Sequence, residues 1–113
     1  MRQSDWRSVL DVAAAAALAH LESLPDRRVY PQGDHAAVLA ALDVGFPETG
    51  LPAEQVIAEL AANPGPYVTA IASRRFFGFL MGGPHPAQWG AEPLASTWDQ
   101  NRGLFPATPG RAR

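Results

Sequence analysis

The 113-residue chain has no cysteine and no lysine. The first absence excludes disulfides, thiolate metal centres and cysteine nucleophiles. The second means that no step needing a lysine amine, Schiff-base chemistry included, can run on this chain alone. All nine basic residues are arginines, a bias that GC-rich coding would also produce. An excess of positive charge is missing too. The formal charge is −2 and the isoelectric point about 5.8, so nothing electrostatic points to nucleic acid. Nor is there a long apolar run. The longest spans residues 12–19, far short of the ~20 that cross a bilayer. Arg2 and Arg7 precede that run as in a signal peptide, but Asp5 and Asp11 stand among and behind them and no small-residue cleavage site follows. The expectation is a cytoplasmic protein with neither nucleic acid nor membrane as partner. Internal repeats and low-complexity linkers are absent as well. The length suits one small domain or a piece of a larger one, able to bury about 65% of its unfolded surface.

What is present is mostly helical pattern. Trp6, Leu10, Ala13, Ala17, Leu21 and Leu24 recur at helical spacing, predicting a long amphipathic helix over residues 5–24. Ser4 is its expected N-cap, Asp5 suits the positive end, and Pro25 stops it. Its Ala-rich centre lets another helix approach closely, and so thin a stripe would gain by packing on a partner chain. Residues 25–31 form an extended connector, because each proline pushes its predecessor out of the helical region. Asp34 is placed to cap a short helix over 35–42, with Val38, Leu39 and Leu42 on one face. Pro52 suits the first turn of a third helix reaching residue 62, with Val56, Ile57 and Leu60 inward. The run Asn63-Pro64-Gly65-Pro66 ends it, and residues 67–71 are β-branched and aromatic enough for a short strand. A last helix is expected within 87–100, kinked at Pro93 or starting near it, with a frayed tail behind.

The densest stretch is residues 73–86, which combines Phe76, Phe77 and Phe79 with Gly82-Gly83 and Pro84-His85-Pro86. Glycine pairs and fixed proline φ angles exclude ordinary helix there, leaving an extended piece and a rigid, apolar-walled turn. By composition its phenylalanines read as core. His85 reads as a solvated turn residue, with a substrate-facing donor as the alternative. Arg74 and Arg75 read as an exposed pair, with bidentate binding of a carboxylate or phosphate as the alternative. His20 and His35 lack ligand partners at metal spacing and read as surface. Gly82-Gly83 lacks the spacing and the Lys-Ser/Thr of a phosphate loop. The predicted organisation is a helical, dimerisation-type arm over 1–66, an extended aromatic and Gly-Pro stretch over 67–86, and a kinked helix with tail over 87–113. Together they make one incomplete domain, mainly α, without one globular core.

Three motifs suggest a family. Residues 21–31, Leu-Glu-Ser-Leu-Pro-Asp-Arg-Arg-Val-Tyr-Pro, resemble the "slp-dR-V-P" segment of the group II pyridoxal-phosphate-dependent decarboxylases, which include the aromatic-L-amino-acid and glutamate decarboxylases. Arg75-Phe76-Phe77-Gly78-Phe79 with Gly82-Gly83 and Pro86-Ala87 resembles the family's "R-F-F-G-F-x-x-G-G-x-x-P-A". Residues 94–101, Leu-Ala-Ser-Thr-Trp-Asp-Gln-Asn, resemble its "L-A-S-x-W-D-Q-N". The ordered match runs from about residue 10 to Pro109. The resemblance implies the N-terminal helical arm of a fold-type I enzyme, which wraps a partner subunit. It implies that Phe79, Leu80 and Met81 line the pocket for an amino-acid substrate, and that Asn101, Arg102 and Gly103 approach the active site across a homodimer interface. It also implies that the large α/β domain, with the lysine that carries pyridoxal phosphate, lies outside this sequence, so the chain is expected to hold no cofactor and to be inactive alone. Arg74 stands where the family commonly has proline, Pro84-His85 depart from its pattern, and Pro93 replaces a large apolar residue. Two other readings stand beside this one: a free-standing helical interaction module without activity, and a regulatory arm that caps an intact decarboxylase.

Overall fold

A computed structural model describes residues 3–79 and 82–99. Those residues form four α-helices, α1 (Gln3–Ser23), α2 (His35–Leu42), α3 (Ala53–Ala62) and α4 (Pro86–Trp98), and one 3₁₀ turn (Gly65–Tyr67), with no strand among them. The protein is therefore mainly α. No helix of the described residues is long and apolar enough to cross a membrane. The chain divides into two compact units, 1–81 and 82–113, and the division falls inside the stretch predicted at 67–86.

In the first unit α1 packs on α3. The face of α1 that turns inward carries Val9, Val12, Ala13, Ala16, Ala17 and Leu21, all half-buried. Of the expected stripe Ala13, Ala17, Leu21 and Leu24 are half-buried, and the correction falls on Trp6 and Leu10, which are exposed. Small side chains explain the choice: Ala13, Ala16 and Ala17 let the helices approach where Trp6 and Leu10 would hold them apart. The helix begins at Gln3, so Ser4 lies inside its first turn and is not the N-cap.

Helix α2 starts as the sequence dictates, with the Asp34 carboxylate accepting the Ala37 amide at 3.0 Å. Of the three residues expected on its inner face Val38 is half-buried, while Leu39 and Leu42 are exposed. In α3, which follows Pro52 as N-cap, Ile57 is half-buried while Val56 and Leu60, expected inward, face out. The strand expected at 67–71 is not formed. Pro64 and Pro66, with φ fixed near the helical value, bend the chain into the 3₁₀ turn, closed by the Tyr67 amide donating to the Pro64 carbonyl at 2.9 Å. Gly33, at φ +123°, lies directly under the Tyr67 ring.

Burial is slight. Ala70 and Ser73 are the buried residues among those described, and no large side chain is fully buried. Phe46 is 99% exposed, Phe77 89% and Phe79 93%. Phe76 is half-buried, so the expectation that the three phenylalanines of 76–79 form core is corrected: two are exposed and the third is only partly covered. A fully buried Leu or Phe contributes about 1.5–3 kcal/mol, and here no side chain of that size is fully buried.

The second unit contains α4, all of whose described residues are exposed. His85 is its N-cap, Nδ1 accepting the Ala87 amide at 3.2 Å, and Pro86 occupies the first helical position. This gives His85 a structural task. Pro93 lies inside the helix, which starts at Pro86 and not near Pro93, and the Thr97 hydroxyl donates to the Pro93 carbonyl at 2.6 Å. The helix stops at Asp99, whose left-handed conformation (φ 47°) lets its amide reach the Ala95 carbonyl.

Candidate functional site

The most elaborated part of the first unit is the junction between the connector after α1 and the segment after α3. Pro25 and Pro31 keep the connector open, so its backbone groups need partners elsewhere. The Ala70 amide donates to the Val29 carbonyl at 2.8 Å. The Arg75 guanidinium donates through Nη2 to the Arg27 carbonyl. Tyr30 and Phe76 meet edge to face, their ring centroids 6.2 Å apart and their planes at 63°. The Arg27 side chain ties the corner: Nε donates to Ser23 Oγ at 3.0 Å and Nη1 to the Gly65 carbonyl at 3.4 Å. Ser23 Oγ in turn donates to the His20 carbonyl at 2.7 Å. Beneath Arg74 and Arg75, the buried Ser73 accepts the Arg75 amide on Oγ at 3.2 Å, and its own amide donates to the Ala70 carbonyl at 3.0 Å.

The junction therefore brings together the first two sequence motifs, residues 21–31 and 75–79. It also brings together two Arg-Arg pairs, Arg27-Arg28 and Arg74-Arg75. Two open grooves flank it. One, of about 520 Å³, is walled by Leu21, Leu24, Pro25 and Ala72 and edged by Ser73, Arg74 and Arg75. The other, of about 340 Å³, is lined by Arg27, Arg28, Pro31, Pro66, Tyr67 and Val68, with Gln32 beside them. A third groove, of about 510 Å³, runs along the alanines of α1 and α3 past His20 and Arg27. Partial burial, with the Arg27 charge adding to it, holds the His20 imidazole below its ordinary value of 6.5.

Chemically the junction offers hydrogen-bond donors with positive charge beside apolar walls. Among the described residues Ser73 has no histidine or carboxylate partner that would activate it as a nucleophile. Among the described residues no cluster of three or more His, Asp and Glu side chains could hold a metal ion. The chain has no lysine amine with which a Schiff base to pyridoxal phosphate could form.

Of the site residues expected from the resemblance, Phe79 is exposed and lines none of these three grooves. Its φ of 55° is rare for a bulky side chain and costs about 1–2 kcal/mol. Leu80, Met81, Asn101, Arg102 and Gly103 lie outside the described residues. What sequence reasoning missed is the meeting of Arg27 and Arg28 with Arg74 and Arg75. The available signal was the recurrence of an Arg-Arg pair just ahead of an aromatic, Tyr30 in one case and Phe76 in the other. No family model, curated protein or solved structure matches the chain.

Proposed function

We propose that this chain is the N-terminal segment of a group II pyridoxal-phosphate-dependent amino-acid decarboxylase, a carboxy-lyase. It contributes dimer contacts and part of the substrate-pocket wall and does no catalysis of its own. The observation that carries the proposal is the order and spacing of the three motifs over residues 21–31, 75–87 and 94–101. The contacts of Arg75 with Arg27 and of Phe76 with Tyr30 supply a physical reason for the first two motifs to occur together. The exposure of Trp6, Leu10, Phe46 and Phe77 further supports a segment that packs on something larger. In the whole enzyme the cofactor serves as electron sink for loss of the α-carboxylate as CO₂. This chain's part is to wall the side-chain pocket and to bring the 101–103 loop to the partner subunit. A cytoplasmic location goes with this reading. The test is the nucleotide sequence that follows the Arg113 codon, translated in three frames. The expected outcome is a large-domain pattern with a His-Lys cofactor segment; unrelated sequence overturns the proposal and removes the pocket role of Phe79, Leu80 and Met81.

A second reading, a free-standing helical interaction module, is favoured by one observation. The 1–81 unit closes on itself through the α1–α3 packing and the Val29–Ala70 hydrogen bond. Sedimentation and thermal melting separate the two. A compact particle with one cooperative transition belongs to the module, and association with a gradual melt belongs to the arm.

A further inference from the structure

We infer that the junction of the connector with residues 65–76 is a docking surface for an extended acidic peptide segment with interspersed apolar side chains. The inference stands apart from the decarboxylase proposal and holds whether or not that proposal does. Arg27 and Arg75 are joined by a hydrogen bond, and their chain neighbours Arg28 and Arg74 line the two grooves, so that four of the nine arginines border this junction in a chain whose net charge is −2. The fold invests in the convergence, since the Arg75 guanidinium is held on the Arg27 carbonyl across 48 residues of sequence.

The four residues divide the work. Arg27 is committed to Ser23 and Gly65 and shapes the corner. Arg28, Arg74 and Arg75 are exposed and keep most of their donors free. Arg28 uses only Nε, on the Tyr30 carbonyl at 3.4 Å, and Arg75 uses Nη2. Among the described residues Arg74 makes no hydrogen bond or ion pair, and no carboxylate forms a salt bridge with any of the four. Glu22 and Asp26, the nearest acidic residues in sequence, are exposed. Guanidinium forks of this kind match carboxylates in shape and charge.

The apolar walls specify the rest of the partner. One groove presents Leu21, Leu24, Pro25 and Ala72 next to Arg74 and Arg75; the other presents Pro31, Pro66, Tyr67 and Val68 next to Arg28. Each therefore pairs an apolar slot with a positive rim, and the Arg75–Arg27 hydrogen bond joins a residue of one groove to a residue of the other. A chain that alternates carboxylates with aliphatic side chains satisfies both features at once. A nucleic-acid backbone supplies the charge and leaves the slots empty.

The probe is a capped, fluorescein-labelled octapeptide alternating Glu and Leu, titrated with the full chain and followed by anisotropy. Binding is expected at low salt and weakens in 0.5 M salt. The same peptide with Gln for Glu, and an oligothymidylate of equal charge, are expected to bind at least tenfold more weakly. The double variant Arg28→Gln/Arg74→Gln removes two exposed cations that take no part in helix contacts. It is expected to weaken binding about tenfold with an unchanged far-UV circular dichroism spectrum. The inference is overturned if the Glu/Leu peptide does not bind, if the Gln/Leu peptide or the oligothymidylate binds as tightly, or if the folded double variant binds as the parent does.

Discussion

Replacing Gly33 by alanine tests whether the Tyr67 ring is a structural fixture of the 1–81 unit. A Cβ on Gly33 would sit 2.8 Å from Tyr67 Cε1 and 3.1 Å from Cδ1, with Ala37 Cβ at 3.5 Å. Distances under 3 Å force a neighbour to move, and overpacking of this kind costs about 1–3 kcal/mol. The φ of +123° adds strain of about 1–3 kcal/mol for any residue with a side chain. Alanine also restricts the unfolded chain, which offsets about 0.4–1 kcal/mol. The net expected loss is about 1–6 kcal/mol, which lowers Tm by roughly 5–30 °C in a domain of this size. Gly45→Ala is the matched control. It too has positive φ, 75°, but nothing lies within 4 Å of the position a Cβ would take, so its cost is limited to about 1 kcal/mol of backbone strain. Urea unfolding followed by circular dichroism gives both values. The pair Gly33→Ala and Tyr67→Ala closes a double-mutant cycle that isolates the overlap. Equal losses for Gly33→Ala and Gly45→Ala, or strict additivity in the cycle, would refute the packing of Tyr67 over Gly33.

Asp34→Ala removes the side-chain acceptor of the Ala37 amide and should cost about 1 kcal/mol, read as a lower urea midpoint, with Asp34→Asn retaining most of the stability. The His20 imidazole titrates below 6.5 in the folded chain, so the unfolded state binds more protons over the interval beneath 6.5. Stability should therefore fall as pH drops through that interval, and Tm measured at pH 7.5 and 5.5 should show a smaller difference in His20→Gln. Pro93→Ala restores a backbone donor inside α4 and removes a penalty of about 3 kcal/mol. The far-UV helical signal should rise, and an unchanged signal would mean that the proline costs α4 nothing.

Local chemistry was readable where one residue decides the outcome. Pro25 and Pro52 bracket helices, Asp34 caps one, and Asn63 to Pro66 end another, so three helices lie within two residues of their predicted bounds. The inward face of α1 was legible in Ala13, Ala17, Leu21 and Leu24 but not at Trp6 and Leu10, because helix approach is governed by the small residues and leaves those two large ones outside. Composition suggested a strand at 67–71, but a strand needs a partner, and Pro64 and Pro66 had already set the local geometry. The junction of Arg27 with Arg75 lay beyond local pattern, since its register depends on how α1 meets α3. For the site, the Arg74-Arg75 pair was noticed and its Arg27-Arg28 counterpart was not.

The Val29–Ala70 hydrogen bond also has a consequence in time. The Val29 carbonyl is synthesised 41 residues before the amide that satisfies it, a separation of 70 minus 29. At about 5–20 residues per second, the connector waits roughly 2–8 s for its partner. Helix α1 waits nearly as long for α3. During that interval the nascent chain displays Trp6, Leu10 and Leu18 together with the alanine face that α3 will later cover. The order of synthesis thus leaves the α1 face uncovered until α3 has been made, and pausing the ribosome before residue 70 would lengthen that exposure.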